Sequence, residues 1–86
     1  MTGMNNSISQ SWSHAVKRRY YRVDIAPDLF GDLCMVRSWG SLDTARGNSK
    51  MELVPCWQVA TQRLEQIAKE RLRRGYNQML AIGQVE

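Results

Sequence analysis

From Arg18 to Ile25 the chain reads RRYYRVDI, with Tyr21, Val23 and Ile25 alternating against Tyr20, Arg22 and Asp24. A period of two in aromatic and β-branched residues predicts a half-buried strand. APDLFGD follows, and its Pro27, Asp28, Gly31 and Asp32 predict a loop. Leu33 to Trp39, LCMVRSW, predicts a second strand. Leu33, Met35 and Trp39 on one side oppose Cys34 and Val36 on the other, so the pattern leaves its inward face open. After a turn bracketed by Gly40 and Gly47, SKMELV alternates again, Met51 and Leu53 against Lys50 and Glu52. Pro55 ends that strand, because a ring nitrogen donates nothing to a ladder.

The period then changes. Between Trp57 and Arg74, residues Ala60, Leu64, Ile67, Ala68 and Leu72 form one apolar stripe at helical spacing. Arg63, Gln66, Glu70, Arg73 and Arg74 fall on the opposite side, and Glu65 precedes Lys69 by one turn in the favourable order. Gly75 suits the left-handed position after a helix, with Tyr76 folding back and NQMLAIGQVE packing as an extended tail. At the other end, Ile8, Trp12 and Val16 recur every fourth residue in a stretch rich in Ser and Asn. That spacing predicts a short amphipathic turn within a partly mobile tail over residues 1–16, followed by a single domain over 17–86. The expected class is α+β. About three or four strands form a small twisted antiparallel sheet, covered on one face by one long C-terminal helix.

Composition narrows the functions open to such a fold. A chain of 86 residues has room for one domain, and a folded part of roughly 70 residues buries only about 60% of its unfolded surface. A binding surface is easier to build at this size than an enclosed active site. The apolar fraction of 43% is too high for a disordered chain. The N-terminus lacks the basic flank and apolar core of a secretory signal, and no apolar run approaches the length of a membrane span, so a cytoplasmic location is expected. Cys34 and Cys56 form no CxxC pair, and His14 is the only histidine. Two buried reduced thiols fit better than a disulfide or a zinc site, and no metal or other cofactor is expected. Ser38, Ser41 and Cys34 have no supporting acid or oxyanion loop, so no catalytic residue is assigned.

The net charge of +4 favours anionic partners, and its distribution matters more than its size. Lys17, Arg18, Arg19 and Arg22 form one cluster, and Lys69, Arg71, Arg73 and Arg74 a second, while Asp24, Asp28, Asp32 and Asp43 lie between. The helix-end arginines complement the negative end of the helix dipole. Arg18, Arg19 and Arg22 interleave with Tyr20 and Tyr21, a composition suited to nucleic acid and equally to arginines lying along tyrosine rings.

YYRVDI, a glycine-containing loop, VRSWG, a second glycine and a helix closing in KERLRRGY together resemble the WGR domain family, over about Arg18 to Tyr76. The resemblance implies a small twisted antiparallel sheet with one packed helix and no catalysis of its own. In poly(ADP-ribose) polymerases the domain contacts DNA near a strand break; its motif tryptophan packs on a terminal nucleotide and its motif arginine pairs with phosphate. Bacterial members also occur as small free-standing proteins. Here the tryptophan corresponds to Trp39 and the glycine to Gly40, but Ser41 stands where the arginine is expected, and Asp43 where a glycine is usual. A hydroxyl in place of a guanidinium removes a bidentate phosphate contact, and a nearby carboxylate opposes phosphate.

The expected function is therefore a non-catalytic binding module for nucleic acid, DNA at ends or nicks or else RNA, read through its backbone with little sequence preference. Trp39 is the candidate for stacking, Arg37, Arg46 and Lys50 for phosphate contact, with Arg18 and Arg19 beside them. Arg46 is the candidate substitute for the missing motif arginine. The rival expectation is a protein partner or a homodimer, motivated by Asp43, the lost arginine and the apolar residues Ile8, Trp12, Met79, Leu80 and Ile82 near the ends. Neither a small-molecule substrate nor a membrane is expected.

Overall fold

The computed structural model describes residues 7–79. Five strands and one helix follow in the order β1 (Ile8–His14), β2 (Arg19–Pro27), β3 (Leu33–Ser41), β4 (Gly47–Leu53), α1 (Trp57–Arg73) and β5 (Asn77–Met79). They form one antiparallel sheet in the order β4-β3-β2-β1-β5. The first four strands are a meander; α1 crosses one face of the sheet and delivers β5 to the far edge, beside β1. The α+β class and the helix are as the sequence predicts, and the sheet is wider by the two strands nearest the chain ends.

The segment around Trp12 differs from expectation. Residues 8–14 are a strand between β2 and β5, not part of a tail and not a helical turn. Ile8 and Trp12 lie on one face because strand neighbours at even spacing also share a side, so a spacing of four fits both periods. Trp12 is only 1% exposed and is the largest of the fully buried side chains. Ser9, Ser11 and Ser13 fall on the solvent side, where Ser9 donates to Asp24 at 2.5 Å. Val16 sits in the β1–β2 turn and is exposed.

Directly opposed residues in an antiparallel pair share a face. The pairs Trp12–Tyr21, Tyr21–Trp39, Ile25–Met35 and Arg37–Lys50 therefore place Trp12, Tyr21, Ile25, Met35, Arg37, Trp39 and Lys50 on one side. The helix covers that side. Its Ala60 and Leu64 join Trp12, Val23, Ile25, Met35 and Val54 in the core, with Ile67 and Ala68 packed against it. Leu72, expected on the buried stripe, is 59% exposed, because Arg71, seven residues after Leu64 and four after Ile67, takes the sheet-facing place in the last helical turn, its guanidinium 4.3 Å from the Tyr21 ring. This resolves the inward face of β3 as that of Leu33, Met35 and Trp39.

On β4 the polar residues, not the apolar ones, face the helix. Glu52 accepts from Arg37 of β3 at 2.7 Å and from Arg63 of α1 at 2.5 Å, which ties sheet to helix at that edge. Met51 and Leu53 point to the open side and are 63% and 60% exposed. The hydrogen bond from Arg37, with the charges of Arg37, Arg63 and Lys50, holds the Glu52 carboxyl below its usual range. A carboxylate with a lowered folded value stabilises fully above its unfolded value near 4.5 and loses that contribution as the pH falls through the folded one. Urea midpoints between about pH 6 and pH 3 should fall less steeply in Glu52→Gln than in the parent chain.

The helix ends as its sequence predicts. Gly75 is left-handed at φ 93°; its N–H donates to Leu72 and that of Tyr76 to Arg71, the paired bonds of a Schellman motif. Tyr76 turns back to meet His14 edge-on at 5.4 Å. The expected extended tail begins as β5, and Leu80 and Ile82 lie outside the described residues. Both cysteines are free, but only Cys34 is buried; Cys56 is exposed at the helix N-cap, where a loop position leaves its thiol in solvent. Burial and the neighbouring Asp28 carboxylate push the Cys34 thiol up, which keeps it protonated. Glu65 and Lys69 make no ion pair among the described residues; Glu70 instead binds both Arg73 and Arg74.

Candidate nucleic-acid interface

The helix leaves one end of its sheet face uncovered. There the β1–β2 turn, the β3–β4 turn and the last turn of α1 enclose a cleft of about 780 Å³. Its floor is aromatic. Trp39 stacks on Tyr21 with ring centroids 6.2 Å apart and planes 17° from parallel. Tyr21 in turn meets buried Trp12 edge-on at 6.3 Å, so the floor is anchored in the core. The Arg71 guanidinium lies 4.3 Å from the Tyr21 ring and 4.9 Å from the Tyr76 ring, which joins the helix end to the aromatic row by cation–π contact. Trp39 is half-buried: it neither belongs to the core nor stands free, and it lines the cleft.

The rim is cationic. Lys17, Arg19, Arg37, Arg46, Lys50, Arg71 and Arg74 line the cleft, and no carboxylate does so among the described residues. Arg37 is engaged by Glu52, and Arg74 by Glu70. Lys17, Arg19, Arg46, Lys50 and Arg71 make no ion pair within the described residues. Charges gathered around a concave, weakly polar floor concentrate the positive field there.

Of the residues singled out from sequence, Trp39, Arg37, Arg46, Lys50 and Arg19 meet at this cleft. Arg18 does not. Its backbone is left-handed at φ 55°, and its side chain turns to Asp43, 2.8 Å away. That pairing also removes the anticipated repulsion, since Asp43 is neutralised outside the cleft lining. Arg22, expected beside the tyrosines, binds Asp24 on the open face of the sheet at 2.9 Å. The cation–π contacts belong to Arg71 alone among the described residues.

Ser41 keeps the backbone role of its position without the charge: its N–H donates to the Arg46 carbonyl at 3.4 Å, and its hydroxyl accepts from the Asp43 N–H at 3.0 Å. Arg46 thus stands directly across the ladder from Ser41, and opposed residues share a face. A guanidinium still springs from this end of the sheet, one strand over.

The glycine after Trp39 has a packing reason. A Cβ on Gly40 would come within 2.6 Å of the Arg46 carbonyl and 2.8 Å of the Gly47 Cα, and one on Gly47 within 2.7 Å of the Tyr20 hydroxyl. Tyr20 alternates with Tyr21 along β2 and lies across this glycine pair.

Sequence reasoning gave Lys17 no place in a site, and gave Arg71 and Arg74 only a dipole role. For Arg71 a signal existed: it follows Leu64 by seven and Ile67 by four, so it continues the buried stripe, and a cation on a buried stripe marks a special contact.

The model of the WGR domain family matches residues 4–81. The chain belongs to the WGR family. The WGR domain is a non-catalytic module, of a nucleic-acid-binding type in poly(ADP-ribose) polymerases. A similar protein is "Uncharacterized protein y4dW" of Sinorhizobium fredii (strain NBRC 101917 / NGR234), 33% identical over 58 residues. The alignment covers 67% of this WGR chain and 28% of that protein, so the chain spans little more than a quarter of its relative's length. No solved structure matches. No helix among the described residues of this WGR domain is long and apolar enough to cross a membrane, and no metal-binding cluster of His, Cys, Asp or Glu occurs among them.

Proposed function

We propose that this WGR domain binds nucleic acid in the cleft, by phosphate and stacking contacts and without catalysis. The observation that carries the reading is the cleft's makeup: an aromatic floor of Trp39 and Tyr21 inside a ring of cations with no carboxylate in it. A base or ribose placed on the Trp39 indole brings its flanking phosphates to the rim. Arg46 and Lys50 serve the phosphate on the β4 side, with Arg46 replacing the motif arginine, and Arg19 and Lys17 serve the side of the β1–β2 turn. Arg37, held by Glu52, orients the floor more than it contacts phosphate. Backbone and stacking contacts read no base edges, so little sequence preference is expected.

Fluorescence polarisation with blunt duplex, nicked duplex, single-stranded DNA and RNA tests this directly. If about three or four phosphates are neutralised on duplex DNA, log K falls against log salt with a slope of about −3. Arg46→Gln should make that slope shallower by about one unit, since one contact is lost. Absence of binding at tens of micromolar in low salt, on every one of the four probes, removes the proposal.

A further inference from the structure

β4 is an edge strand, and among the described residues nothing pairs with its outer side. The bonds from Ser41 N–H to Arg46 and from Val54 N–H to Leu33 show which residues of this strand face β3. By the two-residue period, even-numbered positions turn their backbone groups to β3, and Ser49, Met51 and Leu53 turn theirs outward. An exposed row of donors and acceptors beside exposed apolar side chains invites another strand.

The strand's own sequence says which one. We infer that β4 pairs antiparallel with β4 of a second copy of this chain, about a two-fold axis through Met51. In that register Met51 exchanges backbone bonds with Met51 of the other copy, and Ser49 with Leu53. Lys50 then falls opposite Glu52, and Glu52 opposite Lys50, at the closely spaced non-bonded positions where side chains interact most. A slip one way sets Lys50 against Lys50, and the other way Glu52 against Glu52. Like charges directly opposed are unfavourable, so the pattern is self-complementary in one register alone. On the open face the same pairing gathers Met51 and Leu53, both more than half exposed in the single chain, with their symmetry mates.

The pairing continues the sheet through the axis, so both helices and both clefts lie on the same side. Lys50 belongs to the rim of each cleft and to the seam between them. The dimer thus presents two cationic clefts side by side to one ligand.

Light scattering on the purified chain across a range of concentrations, without nucleic acid, tests the inference independently of any binding activity. The expected species has twice the 9.9 kDa of one chain. Met51→Lys places two ammonium groups at the axis on an exposed position outside the cleft, and should raise the dimer dissociation constant about tenfold or more while the circular dichroism spectrum stays unchanged. Lys50→Glu should weaken the dimer similarly, by setting a carboxylate opposite Glu52 of the other copy. A monomer at all concentrations overturns the inference, as does a dimer indifferent to both substitutions.

Discussion

Trp12→Ala should leave much of the chain unfolded at room temperature. The indole is 1% exposed, sits on the central part of the sheet beneath α1, and touches Tyr21 edge-on. Truncating a buried aromatic of this kind costs about 3–5 kcal/mol, because the lost transfer energy is joined by the cavity left behind. Single domains hold about 5–15 kcal/mol in total, and one this small belongs at the lower end. The urea midpoint should collapse toward zero denaturant, with loss of the near-ultraviolet dichroism that packed aromatics give. A variant that kept the parental midpoint would mean that β1 is not part of the cooperative core.

Trp39→Ala should act in the opposite way, sparing the fold and removing the ligand. Trp39 is half-buried and lies outside the buried cluster, so its truncation leaves Trp12, Val23, Ile25 and Met35 in place. Base stacking on an aromatic contributes about 1–3 kcal/mol, which corresponds to a weakening of about 5- to 150-fold in the dissociation constant. Trp39→Phe should recover part of that loss, since a smaller ring still offers a face. Binding that is unchanged in Trp39→Ala would detach the cleft floor from recognition. The two tryptophans therefore separate structure from function within one small sheet.

The difference between them is hard to see in the sequence, for a physical reason. Trp12 stands among serines and asparagines, which lower the apparent apolarity of β1. Those serines all point to solvent, while the strand's burial rests on Trp12 and the partly buried Ile8. A strand flanked by partners on both sides can be this polar because its backbone is satisfied by β2 and β5. Strands β2 to β4 and the helix carry their own periodicity and are legible from it. β5 is three residues long, too short to show a period, and it exists because Gly75 and Tyr76 redirect the chain toward β1.

The site is legible to the extent that its residues cluster along the chain. Trp39, Arg37, Arg46 and Lys50 sit on one hairpin, where spacing alone brings them together. Arg71 and Arg74 arrive from the far end of the helix, and only the crossing of α1 over the sheet places them at the same opening. The Arg18–Asp43 pair escapes a reading of the sequence because a left-handed residue in the β1–β2 turn swings its side chain across to the next hairpin, which no local pattern encodes.

Tyr20, seated over Gly40 and Gly47, bears on how tightly a ligand can be held. With no side chains on that glycine pair, the Tyr20 ring packs across both strands at the base of the hairpin that carries Arg46. Arg46 therefore leaves a strand pair already braced by an aromatic ring before any phosphate arrives. Less backbone freedom is surrendered on association than a mobile loop would lose, so pre-organisation can offset part of what the missing motif arginine took away.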